Sequence, residues 1–217
     1  MDIAANIANI KNNLPAGVKL VAVSKTKPNE DILTAYNAGH RIFGENKVQE
    51  LVRKYDQLPK DIEWHFIGHL QTNKVKLIIP FVQLIHGVDS FKLLKVIDSE
   101  AKKQNRQVTC LLQFHIAEEE TKFGLTLEEA GEILSSPEFK SLNNIYIAGV
   151  MGMATYTENT MQIRSEFKLL KTIFKTLKNE YFSDEKKFNE ISMGMSDDYQ
   201  IAIEEGSTII RVGSKIF

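Results

Sequence analysis

The sequence predicts an α/β fold, a single (β/α)8 barrel of the TIM type that occupies residues 1–217 as one domain. Three observations lead there. Eight short apolar runs rich in Val, Ile and Phe recur along the chain, stretches with helical spacing separate them, and 217 residues suffice for one small barrel. Strands that alternate with helices pair in parallel through crossovers. An open doubly wound sheet is the competing arrangement. The absence of G-x-G-x-x-G after the first strand weakens its dinucleotide-binding form.

The elements follow in chain order. Ile3, Ile7 and Ile10 sit at helical spacing in a segment from Ile3 to Leu14, expected to cover the barrel bottom or side. The first strand is expected over Leu20–Val23 and a helix over Asn29–Asn37, with Pro28 at its first turn and Gly39 as its left-handed stop. Strand Arg41–Phe43 leads to helical spacing over Lys47–Tyr55, and strands Trp64–Ile67 and Val82–Ile85 come next. Asp89 and Ser90 can cap a helix over Phe91–Lys103, which precedes strand Val108–Phe114. Thr126 and Glu129 read as a capping box for Leu127–Leu134. Strand Ile145–Val150, helix Met161–Lys178 and strand Phe188–Ile191 follow; Ser196 or Asp197 caps a short helix to Glu205, Gly206 stops it, and Thr208–Val212 closes the series. Neither a Pro-, Gly- or Ser-rich linker nor a repeat divides the chain.

Composition excludes several function classes. Lys and Arg total 27 against 28 Asp and Glu, so a net charge of −1 provides no field to gather nucleic acid or an anionic membrane. Cys110 is the only cysteine and lies in an apolar run, which rules out an internal disulfide and a thiolate-rich metal site. The sequence carries neither an export signal nor a run of 18 uninterrupted apolar residues. The expectation is a cytoplasmic monomer that takes a small molecule.

In a barrel the chemistry gathers at the carboxyl ends of the strands. Alternation puts Val21, Val23 and Lys25 on one face of the first strand, so an inward Val21 implies an inward Lys25. Burial there would lower the lysine pKa towards the neutral amine that attacks an aldehyde. Most lysines are solvated, and a surface loop lysine is the alternative. The segment Ser192–Asp198 leaves the seventh strand through Gly194 and enters a short helix whose free N–H groups suit an anion. After the eighth strand, Gly213 allows close backbone approach and Ser214 adds a hydroxyl donor. Ordinary capping and turn chemistry also accounts for Ser196, Gly213 and Ser214. Closure of the barrel brings the eighth strand beside the first. An inward Ile209 implies an inward Arg211, whose guanidinium can donate to an unprotonated ring nitrogen. Pyridoxal 5′-phosphate (PLP) has the aldehyde, the phosphate and such a nitrogen, and an unprotonated pyridine is a weaker electron sink.

Other residues carry less. Asn46 can reach a bound ring or cap the following helix. His65 and His69 are four apart, but the strand-to-loop transition between them and the lack of clustered carboxylates argue against a metal, and His65 reads as a hydrogen-bonded core histidine. Met151 and Met153 are expected to line the barrel mouth, and the charge runs Glu118–Glu120 and Asp184–Lys187 to be solvated.

Five segments together resemble a known family: Ala22-Val23-Ser24-Lys25-Thr26-Lys27; Phe43-Gly44-Glu45-Asn46 with Gln49-Glu50; Trp64 to Lys74; Ser192 to Asp198; and Arg211-Val212-Gly213. They occur in the order of the YggS/PROSC group of pyridoxal phosphate homeostasis proteins, single-barrel relatives of the alanine racemase N-terminal domain, and extend from 22 to 213. The resemblance implies a PLP-binding barrel of fold type III without the racemase β domain. It implies PLP as an internal aldimine on Lys25, its phosphate held by Ser196, Gly213 and Ser214, and Arg211 at the pyridine nitrogen. It further implies storage and delivery of PLP in vitamin B6 balance, with transient PLP-dependent apoenzymes as partners and no established catalytic reaction. Two alternatives remain: a low-activity amino-acid racemase, and a phosphate-binding barrel for a sugar phosphate or nucleotide. Family members continue past the Ile-Phe pair that ends this chain, so its last turn is expected to fray.

Overall fold

A computed structural model describes residues 2–118 and 123–217 of the chain. Its eight strands are β1 (Lys19–Val23), β2 (Ile42–Glu45), β3 (Glu63–Phe66), β4 (Leu84–Val88), β5 (Val108–Gln113), β6 (Ile145–Met151), β7 (Glu190–Ser192) and β8 (Ile209–Val212). They form a closed barrel in sequence order, every pair parallel, with β8 beside β1 in the register Lys19 to Ile209 and Val21 to Arg211. The expected barrel is thus the one observed, and the open sheet is excluded by that last pairing.

The helices are α1 (Ile3–Asn12), α2 (Asn29–Asn37), α3 (Val48–Gln57), α4 (Val75–Ile78), α5 (Phe91–Lys103), α6 (Leu127–Ser135), α7 (Pro137–Lys140), α8 (Thr160–Tyr181) and α9 (Tyr199–Glu204). Helix α1 buries Ile3, Ile7 and Ile10 on the barrel flank beside α2, and its Asn6 side chain donates to Ile216 O at 3.0 Å. The capping box at Thr126 is complete: Thr126 Oγ1 accepts from Glu129 N, and the Glu129 carboxylate from Thr126 N. Ser90 caps α5, whereas Asp89 turns instead to His69. Pro28 stands one position before α2 as its N-cap, and Gly39 has the left-handed φ of +84° that stops the chain there. Helices α4 and α7 were not expected, since four residues are too few to show a period.

Strand alternation sorts the apolar residues into two layers. Leu20, Ala22, Trp64, Phe66, Ile85, Ile191, Ile210 and Val212 pack outward under the helices, while Val21, Leu84, Leu111, Ala148, Met151 and Ile209 fill the barrel interior. Met151 therefore belongs to the interior and Met153 alone of that pair reaches the mouth. The last turn does not fray: Ile216 N and Phe217 N both donate to Gly213 O, and both side chains are buried. In the run Asp184–Lys187 only Glu185 is partly buried; Glu119 and Glu120 lie outside the described residues. No helix among the described residues is long and apolar enough to cross a membrane.

Candidate functional site

The carboxyl ends of the strands surround a cleft of about 490 Å³, within the usual range for small ligands. Lys25, Asn46, Ser196, Arg211, Gly213 and Ser214 all line it. The alternation argument for β1 holds, with Val21 in the interior and Val23 and Lys25 facing the cleft. The expected burial of Lys25 does not hold. It lies two residues beyond the end of β1, where the neighbouring strands no longer cover it, and is exposed within the cleft.

Gly194 turns the chain out of β7 at φ +94°, where a Cβ would lie 2.6 Å from Ala202 Cβ and 2.9 Å from Tyr199 Cα. This turn brings Ser196 across to β8, and its Oγ accepts from Gly213 N at 3.2 Å. Ser196 is therefore not the cap of α9. That position falls to Asp198, whose carboxylate accepts from Met195 N at 2.5 Å. The amides of the cap and of the first helical residue are committed as well, Asp198 N and Tyr199 N both donating to Met195 O. The anion-binding role expected of its N-terminus is not available from those groups. The hydroxyl hydrogens of Ser196 and Ser214 remain as donors into the cleft.

Arg211 is 4% exposed and forms the floor of the cleft. Nη1 donates to Ser192 Oγ at 2.5 Å and Nη2 to Gly152 O at 3.1 Å. A guanidinium has five N–H groups, and its Nε–H donates to none of the described residues, which leaves it for a ligand acceptor. Burial lowers the Arg211 pKa to about 10, opposed by Asp198, so the group stays charged at neutral pH.

Below Arg211 a polar chain crosses the interior: Ser192 Oγ lies 2.8 Å from His86 Nδ1, and His86 Nε2 lies 3.0 Å from His65 Nδ1. The guanidinium only donates, so Ser192 accepts from it and its own proton is directed to His86 Nδ1. His86 then carries its proton on Nε2 and gives it to His65. Burial holds both imidazoles neutral, His65 at about 3 and His86 well below its ordinary value. The reading of His65 as a core histidine is thus borne out.

Asn46 does not cap α3. Lys47 occupies that position without a side-chain bond, and Asn46 faces the cleft. Sequence reasoning weighed His69 only as a metal ligand and did not place Lys54 at all, yet both belong to the site or its support. His69 also lines the cleft, with Nδ1 2.9 Å from Asp89 Oδ2 and its ring stacked on Phe123 at 4.3 Å. Behind Lys25 stands a buried cluster of Ser24, Glu45 and Lys54 with Glu50. One amine, one buried guanidinium and two hydroxyl donors meeting in a mostly apolar cleft suit a phosphorylated aromatic aldehyde whose ring nitrogen accepts a hydrogen bond.

The fold and this cleft define a class of protein, the alanine racemase barrel. The sequence matches the family model "Alanine racemase, N-terminal domain" over residues 1–217. It is 40% identical over 200 residues to the pyridoxal phosphate homeostasis protein of Aquifex aeolicus, covering 92% of this chain and 86% of that one. The corresponding protein of Pasteurella multocida is 34% identical over 230 residues, covering 100% of this chain and 97% of its own. The chain belongs to the pyridoxal phosphate homeostasis protein family. Among solved structures, PipY of Synechococcus elongatus without PLP superposes with a TM-score of 0.93 at 34% identity, covering 99% of both chains. PipY with PLP bound superposes at 0.89, again at 34% identity and 99% of both. Alanine racemase of Clostridium difficile shares the fold at 13% identity and a TM-score of 0.74; this chain covers 55% of it.

Proposed function

We propose that this chain is one barrel domain that binds PLP covalently as a Schiff base on Lys25 and serves intracellular PLP homeostasis. The observation that carries the reading is the convergence of Lys25, Arg211, Ser196, Gly213 and Ser214 on a single cleft. Bound PLP supplies an electrophilic aldehyde and an electron-accepting ring. Lys25 provides the amine, and its exposure in the cleft lets an incoming aldehyde reach it. Ser196 and Ser214 donate to the phosphate beside the Gly213 backbone, Asn46 borders the ring, and Arg211 donates to the ring nitrogen. A donor that is charged at neutral pH keeps that nitrogen unprotonated. Carbanion chemistry is thereby disfavoured, and the protein acts as a carrier rather than an enzyme, a cytoplasmic monomer with PLP-dependent apoenzymes as transient partners.

Addition of PLP to the purified protein should produce the visible absorption of a Schiff base, and Lys25→Ala should abolish it with the fold intact. Absence of that band in the unaltered protein would favour a phosphate-binding barrel for a sugar phosphate or nucleotide. His69, held by Asp89 at the cleft, gives a specific reason to test a second reading, weak amino-acid racemisation. Turnover of L-amino acids that depends on both Lys25 and His69 would replace the carrier reading.

A further inference from the structure

Lys25 and Lys54 both stand close to the turn after β1, and they are treated in opposite ways. Lys25 is exposed in the cleft and makes no hydrogen bond to the described residues through its side chain. Lys54, on α3, is completely buried. Its Nζ donates to Ser24 O at 2.7 Å, to Glu45 Oε1 at 2.7 Å and to Glu50 Oε1 at 2.8 Å. An ammonium has three N–H groups, and each has an acceptor here.

The same acceptors hold the backbone on both sides of Lys25. Ser24 Oγ donates to Glu45 Oε1 at 2.6 Å, while the Ser24 carbonyl takes its bond from Lys54. On the other side, Thr26 N donates to Glu50 Oε1 at 2.8 Å. Thr26 has a φ of +65°, uncommon for a β-branched residue, and it retains that conformation because the surroundings impose it. The Lys25 backbone is thus clamped between two residues that share one ion cluster.

We propose that Lys54, with Glu45 and Glu50, is the positioning device of the Schiff-base lysine: it directs Lys25 into the cleft while its own amine, hydrogen-bonded to three acceptors, stays buried out of reach of the aldehyde. The inference rests on the Schiff-base reading of Lys25. Burial pushes the Glu45 pKa up; burial also raises that of Glu50, but the hydrogen bonds from Lys54 and Thr26 together outweigh it and hold Glu50 below its ordinary value. A cluster containing Glu50 therefore keeps a carboxylate to hold both Lys54 and Thr26. Condensation at Lys25 joins its nitrogen to the aldehyde carbon and releases one water; the nitrogen loses two protons and the departing oxygen gains two, without oxidation. That step requires an unprotonated amine aimed at the carbon. An ammonium whose three protons are all bonded does not meet this condition.

The test compares Glu50→Ala with Glu50→Gln, both remote from the cleft lining. Each removes the ion pair with Lys54, but the Gln amide oxygen can still accept from Thr26 N. Apoprotein is mixed with PLP and the growth of the Schiff-base band is followed, alongside the thermal midpoint of each apoprotein. Glu50→Ala should load about tenfold more slowly or worse, because a displacement near 1 Å is costly to a positioned reactant. Glu50→Gln should recover most of the rate while its midpoint, with the ion pair to Lys54 gone, stays below that of the wild type. Wild-type loading in Glu50→Ala would overturn the proposal, as would rates that simply follow the midpoints. Lys25→Ala apoprotein treated with PLP and borohydride should leave Lys54 unlabelled. A label on Lys54 overturns its role as a withheld amine, whereas a wild-type level of label elsewhere overturns the Schiff-base reading itself.

Discussion

Ser196→Ala isolates the phosphate cradle from the rest of the site. The hydroxyl stands between the turn after β7 and the end of β8, bonded to Gly213 N at 3.2 Å and open to the cleft on its other side. Its removal costs the protein little: Gly213 is only partly buried, so water can replace the lost acceptor, and the change in folding stability should stay under about 1 kcal/mol. For a bound phosphate the loss is larger. A hydrogen bond to a charged group contributes about 1.5–3 kcal/mol, which corresponds to roughly 10- to 150-fold in Kd. The assay is a pair of titrations, one with PLP and one with pyridoxal, which has the same aldehyde and ring but no phosphate. PLP affinity should fall by that factor and pyridoxal affinity should not move. Equal losses for both ligands would mean that Ser196 shapes the cleft rather than holding the phosphate, and no loss for PLP would place the phosphate elsewhere.

Gly194→Ala should destabilise the protein by about 2–4 kcal/mol, combining left-handed strain with the overlap on Ala202 Cβ at 2.6 Å; a urea midpoint equal to that of the wild type would refute this. Arg211→Glu should favour a protonated pyridine and shift the absorption of bound PLP; an unchanged spectrum and affinity would move Arg211 away from the ring. His40 and His65, held by burial at about 4 and about 3, and His86, held well below its ordinary value, all have folded pKa values beneath the unfolded 6.5. Their contribution is complete above pH 6.5 and is lost as pH falls from 6.5 towards 4 and below, at up to about 1.4 kcal/mol per pH unit each. Glu45, raised by burial, opposes part of this loss, so the urea midpoint should still be lower at pH 5.5 than at pH 7.5, and a flat or inverse profile would contradict the burial account.

The barrel was legible because its evidence is local and repeated. Each strand is a short apolar run, and the caps at Ser90 and Thr126 lie where their side chains predict. Parity within a strand was equally readable, so Arg211 could be placed inward from Ile209 alone. Parity stops with the strand, however. Lys25 is two residues past β1 and beyond the cover of its neighbours, which is why alternation gave its direction correctly and its burial wrongly. Ser196 was read as a helix cap from its place in the chain, yet its partner is Gly213, 17 residues on, and only barrel closure makes the two adjacent. The cluster around Lys54 was hidden for a related reason. Glu50 and Lys54 are four apart on one helix and could have been paired from the sequence, but Glu45 ends β2 and Ser24 lies just beyond β1, far from both in the chain. His86 lies just past the expected strand Val82–Ile85 but inside the observed, fully buried β4, and a polar residue there needs partners the sequence does not reveal.

The most direct measurement is borohydride reduction of the PLP-loaded protein, followed by proteolysis and mass mapping of the modified peptide. The account predicts one stoichiometric pyridoxyl group, on the peptide that contains Lys25. A stoichiometric group on any other lysine, or none on a protein that binds PLP fully, would contradict it.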